Sequence, residues 1–262
     1  MILFRHELRR NRVQLALWAG SIALMLLVCM LIFPEMKGQF DMVNSLFKNL
    51  GAFSAAFGMD RINFATAMGF YGIECGNILG LCGGIYAALL GASALSKEEQ
   101  GHTAEFLFTH PVRRVQIVAE KLLAVWVQIL LLNAAVLIFG WAGFLLVGET
   151  PEQPAFLLFH LAHLLLQLEI SGLCFGASAF LRRGAMGMSV GVVAVLYFLN
   201  LANNLSDKIG FLRYITPYAY AEAAPILEGS GPDLPLLLTG MTLAAVALAV
   251  GFIHYSRKDI LA

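Results

Sequence analysis

Apolar residues dominate this chain in long unbroken runs, not in alternation with polar ones. Six runs reach the ~20 residues a helix needs to cross the hydrocarbon core of a bilayer. They are roughly 13–33, 67–95, 118–147, 155–181, 184–204 and 234–254. Runs of this length exclude the period-2 pattern of a membrane barrel. Lipid pairs with no backbone group, so a span is either a helix or part of a closed barrel. The pattern therefore predicts an all-α integral membrane protein with six transmembrane helices. Two connections are short enough for antiparallel hairpins: "GETPEQP" between the third and fourth runs, and Arg182, Arg183 and Gly184 between the fourth and fifth.

The polar stretches between the runs differ in kind. The opening "MILFRHELRRNR", residues 1–12, offers Ile2, Leu3, Phe4 and Leu8 to lipid and its arginines to headgroups. That predicts an amphipathic helix lying on the membrane surface. It also looks like the basic flank of a signal peptide. However, the run behind it is longer than a usual signal core and leads into "FPEMKGQF", not a small-x-small site, so it reads as an uncleaved first span. After the second run comes "SKEEQGHTAEFLFTHPVRR", Ser96 to Arg114, within a polar element of about residues 96–116. Gly101 permits a bend there, and Pro111 stops a helix because it lacks an amide donor. Phe106, Leu107 and Phe108 are consecutive apolar residues in an otherwise polar loop, which points to a surface they dock against. Residues 205–233 mix Tyr, Phe, Pro and aliphatics and predict short helices dipping into the headgroup zone.

Composition removes the soluble alternative. Of 262 residues, 59% are hydrophobic and 13% charged, with a mean hydropathy of +0.77, against about 25% charged in a soluble domain. The formal net charge is zero, yet its distribution is lopsided. With a cytoplasmic N-terminus, 12 of the 17 Lys and Arg residues fall in inside segments and 5 outside. Cytoplasmic loops carry the positive excess, so both termini and the 96–116 element are predicted to be cytoplasmic. Membrane lipid is the expected surround, and no nucleic-acid module is visible.

Candidate chemistry is sparse. Gly72, Gly76, Gly80 and Gly84 recur every four residues on the second run, followed by Ala88 and Ala92, a ridge that lets another helix approach closely. Glu74 and Glu169 lie inside apolar runs, where an acid is costly and faces protein or water. Either one is a polar spot on a translocation path or a carboxyl hydrogen-bonded to a neighbouring helix. Glu169 shares a face with Gly172 and Gly176, which predicts inward packing. His160, His163 and Gln167 share one face of the fourth run; two histidines fall short of a metal set and predict a polar face towards other helices. Cys29, Cys75, Cys82 and Cys174 read as core residues. No H-E-x-x-H, G-x-S-x-G or P-loop G-x-x-x-x-G-K-S/T occurs, so no catalytic residue, metal or cofactor is assigned to this chain.

The loop after the second run carries a resemblance. Membrane subunits of ABC-2 type ABC transporters show an acidic residue, a Gly-Thr pair, a Glu, an apolar pair, a Pro, a basic residue and a Lys at the third span. Here that pattern reads Glu98, Gly101, Thr103, Glu105, Phe106, Leu107, Pro111, Arg114 and Lys121, with His102 set between the usually adjacent Gly and Thr. "FRHELRR" near the start and "YSRKDI" near the end are also similar to this family, so the resemblance covers the whole chain. It implies the transmembrane domain of an exporter in the plasma membrane, whose 96–116 element is a coupling helix seated in a separate ATP-binding subunit. Arg182 and Arg183 would be a second cytoplasmic contact. ATP and Mg would be bound by that partner, and a second permease subunit, identical or homologous, would complete the transporter. Two alternatives stand beside it: an intramembrane metal-dependent enzyme using Glu74, Glu169, His160 and His163, and an ion-coupled secondary transporter working through Glu169.

Overall fold

The computed structural model describes residues 2–39, 51–100, 113–181 and 185–257, without the side chains of 98–100, 185 and 207. Six long helices form the body: α1 (Ile2–Lys37), α3 (Ala67–Gln100), α4 (Arg114–Leu146), α5 (Gln153–Ser178), α6 (Ala185–Leu205) and α8 (Leu234–Arg257). Short elements lie between them: α2 (Gly51–Ala56), two 3-10 segments (Asp207–Tyr214 and Pro217–Ala221) and α7 (Ala223–Leu227). Each long helix is long and apolar enough to cross a membrane, and the chain is a multi-pass membrane protein.

Burial separates inner from outer helices. In their most apolar stretches α3 and α5 are 67% and 61% buried, against 22% for α1 and 17% for α6. The glycines explain why α3 and α5 sit inside, since both helices carry small residues where neighbours come close. The outer helices turn Leu17, Leu24, Val195, Phe198, Leu238 and Val246 outwards. In lipid such a surface carries no hydrophobic penalty, so close packing and interhelical hydrogen bonds hold the bundle together.

Two expectations change. Residues 2–12 do not form a separate surface helix, because α1 runs unbroken from Ile2 to Lys37. No Gly or Pro separates the basic turn from the span, and Glu7 is buried against α3 and α4 by two lysines. At 36 residues α1 is about 54 Å long, well beyond a hydrocarbon core of ~30 Å. The segment after α6 also differs. Phe211, Tyr214 and Ile215 are exposed as a headgroup-facing segment should be, but Tyr218 and Tyr220 are buried in the protein. Thr216 makes that inward turn. Its hydroxyl donates to Leu196 O of α6 (2.8 Å) and accepts from Tyr218 N (3.3 Å), capping the second 3-10 segment. At the same end Lys37 donates to Glu149 Oε1 (2.7 Å), tying α1 to the α4–α5 turn.

Candidate functional site

The glycine ridge of α3 is an intramolecular seat. A Cβ on Gly72 would meet Leu227 and Ala223 of α7, and one on Gly76 would meet Phe159. One on Gly80 would meet Tyr218, and one on Gly84 would lie 2.6 Å from the Tyr218 hydroxyl. The ridge therefore receives α5 on one side and the inward-turned 216–227 segment on the other. Tyr218 donates to Gly80 O at 3.1 Å. Burial holds the phenols of Tyr218 and Tyr220 well above their ordinary range, and for Tyr220 the nearby Glu169 carboxyl acts in the same direction.

A cleft of mixed polar and apolar lining opens beside this seat. Its inner part, about 70 Å³, is lined among others by Gly76, Gly80, Asn77, His163, Tyr197 and Asn200. Its outer part, about 360 Å³, is lined among others by Arg61, Asn203, Arg213, Glu222 and Asp233. Asn204 and Glu222 belong to both parts. The walls are cross-tied: Tyr197 donates to Asn77 Oδ1 (2.8 Å) and Asn200 donates to Glu222 Oε1 (3.1 Å). Arg61 stands 3.8 Å from the other Glu222 oxygen. The side-chain oxygens of Asn200 and Asn203 are buried without a hydrogen-bond partner. Such acceptors cost free energy while no donor reaches them, and both oxygens are closed off from a water-sized molecule.

The two intramembrane acids separate. Glu169 is buried, accepts from the Tyr220 hydroxyl (2.9 Å) and fills the space left by Gly240 of α8, where a Cβ would lie 2.4 Å from both carboxyl oxygens. Gly172 and Gly176 continue that face against Ala244, Ala247 and Leu248, so the predicted inward packing is what the structure has. The partner of Glu169 comes from the 216–221 segment, not from a neighbouring span. Glu74 is half-buried on α3. Neither acid lines the cleft.

His160, His163 and Gln167 do face other helices. The Tyr71 hydroxyl and His160 Nε2 are 3.0 Å apart, His163 Nδ1 donates to Phe159 O (3.0 Å), and Asn133 donates to Gln167 Oε1 (2.7 Å). Among the described residues no three His, Cys, Asp or Glu side chains stand close enough to hold a metal ion, and all four cysteines are free.

A second cluster lies at the opposite end, where α1 begins, α3 ends and α4 begins. Lys97 of α3 and Lys121 of α4 both donate to the Glu7 carboxylate, Lys121 at 2.8 Å, and Lys121 also donates to Ala94 O at 3.0 Å. The Phe4 amide donates to Glu120 Oε2 (3.1 Å), and Gln116 donates to Glu120 Oε1 (2.8 Å). A helix leaves its first amides without intrahelical acceptors, and Glu120 supplies one. Arg114 opens α4 and Glu98 lies in the last turn of α3. The other predicted coupling residues, Gly101, Thr103, Glu105, Phe106, Leu107 and Pro111, lie outside the described residues, as do Arg182 and Arg183.

The sequence reading missed the cleft and the Glu7 cluster. Asn200, Asn203 and Asn204 recur at i, i+3 and i+4 on an apolar helix, which was the available signal for the cleft. Glu7 was the one acid among the arginines of the first turns.

A family model described as ABC-2 family transporter protein matches residues 1–260. No curated protein sequence matches the chain.

Proposed function

The chain belongs to the ABC-2 family of transporter proteins, and from that premise we propose that it is the permease subunit of an ATP-driven exporter working with a separate ATP-binding subunit. The family match over residues 1–260 carries the reading. The fold supports it: α3 and α4, helices of 34 and 33 residues, outrun a bilayer on either side of the segment with the coupling pattern. That pattern, Glu98 to Arg114, would seat in the ATP-binding subunit, with Arg182 and Arg183 as a second contact. These 262 residues contain no P-loop, so ATP and Mg belong to the partner in this reading. The charge asymmetry supports a cytoplasmic start of α1 and a cytoplasmic Glu7 cluster, and the plasma membrane is the expected location.

The cleft between α3, α6 and the 216–227 segment is a candidate path element beside the predicted Glu74 and Glu169. A second permease subunit, identical or homologous, would complete the conduit. Pull-down of the tagged chain in gentle detergent, followed by mass spectrometry, tests the reading. A co-purifying subunit with a P-loop is expected, and a folded chain that repeatedly comes down alone refutes it.

A further inference from the structure

We propose that Glu7 is the positioning residue through which the first turns of α1 are coupled to the helix ends on both sides of the 98–113 segment; the proposal rests on the permease reading above. The two carboxylate oxygens are divided between helices. Oε2 takes Lys97 in the last turn of α3, and Oε1 takes Lys121, two turns into α4. The side chains of Glu7 and Lys121 are 5% and 1% exposed, that of Lys97 16%. A buried ion pair is a poor device for stability alone, since apolar residues of equal volume are often as stable. It does fix a direction. Charge-assisted bonds are short and oriented, and these join three elements at one point.

Glu120 adds a second tie between α1 and α4 through the Phe4 amide. The first turns of α1 therefore have no independent position. A displacement at the end of α3 reaches α1 through Glu7, one at the start of α4 through Glu7 and Glu120, and the unbroken helix carries it onward to Lys37. The N-terminal turns are thus part of the coupling apparatus, not a surface anchor.

The test uses the full chain co-purified with its ATP-binding subunit in lipid nanodiscs. Spin labels are placed at Arg9→Cys and Arg113→Cys, both exposed, with the partly exposed Cys29 and Cys82 changed to Ala. Distances are measured without nucleotide and with ATP plus vanadate. In the parent the separation is expected to stay the same, because α1 follows α4. Glu7→Gln removes the charged tie to α4 and keeps the Phe4–Glu120 amide bond; in it the separation is expected to become nucleotide-dependent, and the part of ATP hydrolysis that requires the permease to fall about fivefold or more.

Glu7→Asp should recover part of that activity. Adding Lys97→Met to Glu7→Gln should cost nothing further, since both remove the same pair. If Glu7→Gln fails to assemble, Lys121→Met removes the α4 side of the link, leaves Lys97 on Glu7 and is measured the same way. Variants that lose thermal stability but keep the parent distances and the parent hydrolysis per assembled complex would overturn the proposal. A parent chain that recruits no ATP-binding subunit would overturn the permease reading and this proposal together.

Discussion

The seat of Tyr218 on the α3 ridge makes a quantitative demand. Gly84→Ala places a Cβ 2.6 Å from the Tyr218 hydroxyl, while its next neighbours, Ile170 Cδ1 and Val193 Cγ1, are at 3.4 and 3.5 Å. The overlap is therefore with one oxygen atom. Overpacking of this kind costs about 1–3 kcal/mol, partly offset by the ~1 kcal/mol that Ala gains over Gly in a helix. Tyr218→Phe removes that oxygen and the bond to Gly80 O, a loss of about 0.5–1.5 kcal/mol. Once Tyr218→Phe is in place, the methyl added by Gly84→Ala meets only ordinary contacts, so its cost should vanish or turn into a slight gain. The two substitutions together should be less destabilising than their sum by about 1–3 kcal/mol. Thermal unfolding of the four proteins in one detergent, followed by size-exclusion fluorescence, measures the cycle. Additive behaviour would refute the assignment of Tyr218 to the ridge, and with it the inward turn of the 216–227 segment.

Other expectations follow from the same contacts. Gly176→Ala sets a Cβ 2.3 Å from Ala247 O, backbone that cannot rotate away, whereas a Cβ on Gly20 meets nothing within 4 Å. Melting should show Gly176→Ala clearly destabilised and Gly20→Ala neutral or slightly stabilised. Gly240→Ala should be among the most damaging small changes, because it drives a methyl into the Glu169 carboxyl, and Glu169→Ala in the same chain should restore much of the melting temperature. Lys37→Ala breaks the pair with Glu149, whose side chains are 56% and 35% exposed, and should shift stability by no more than ~1 kcal/mol. Phe106→Asp or Glu105→Lys should abolish stimulation of ATP hydrolysis while membrane insertion, read by fractionation, is unchanged.

The spans were legible because bilayer thickness imposes a length, and six apolar runs of that length leave little choice. The glycine ridge was legible as a contact, since only small residues every four positions make a groove along a helix. Its occupant was not. Tyr218 lies in a Pro-rich stretch whose aromatics read as headgroup-facing, and only the Thr216 turn, pinned to Leu196 O, sends it inwards. Glu169 shows the same limit. Its face was readable from Gly172 and Gly176, but its partner Tyr220 is 51 residues away on a segment with no helical period to align it.

The acid that ties three helices together was not one of the two inside the spans. An isolated carboxyl in an apolar run draws attention because its cost is visible in sequence, while an acid among arginines reads as ordinary surface charge. Glu7 lies in such a setting and yet is buried between three helices, because α1 continues without a break and brings it against lysines at the end of α3 and near the start of α4. Burial of a charge is decided by what the helix packs against, so the charge pattern of a terminal turn cannot by itself distinguish a lipid anchor from a linkage between helices.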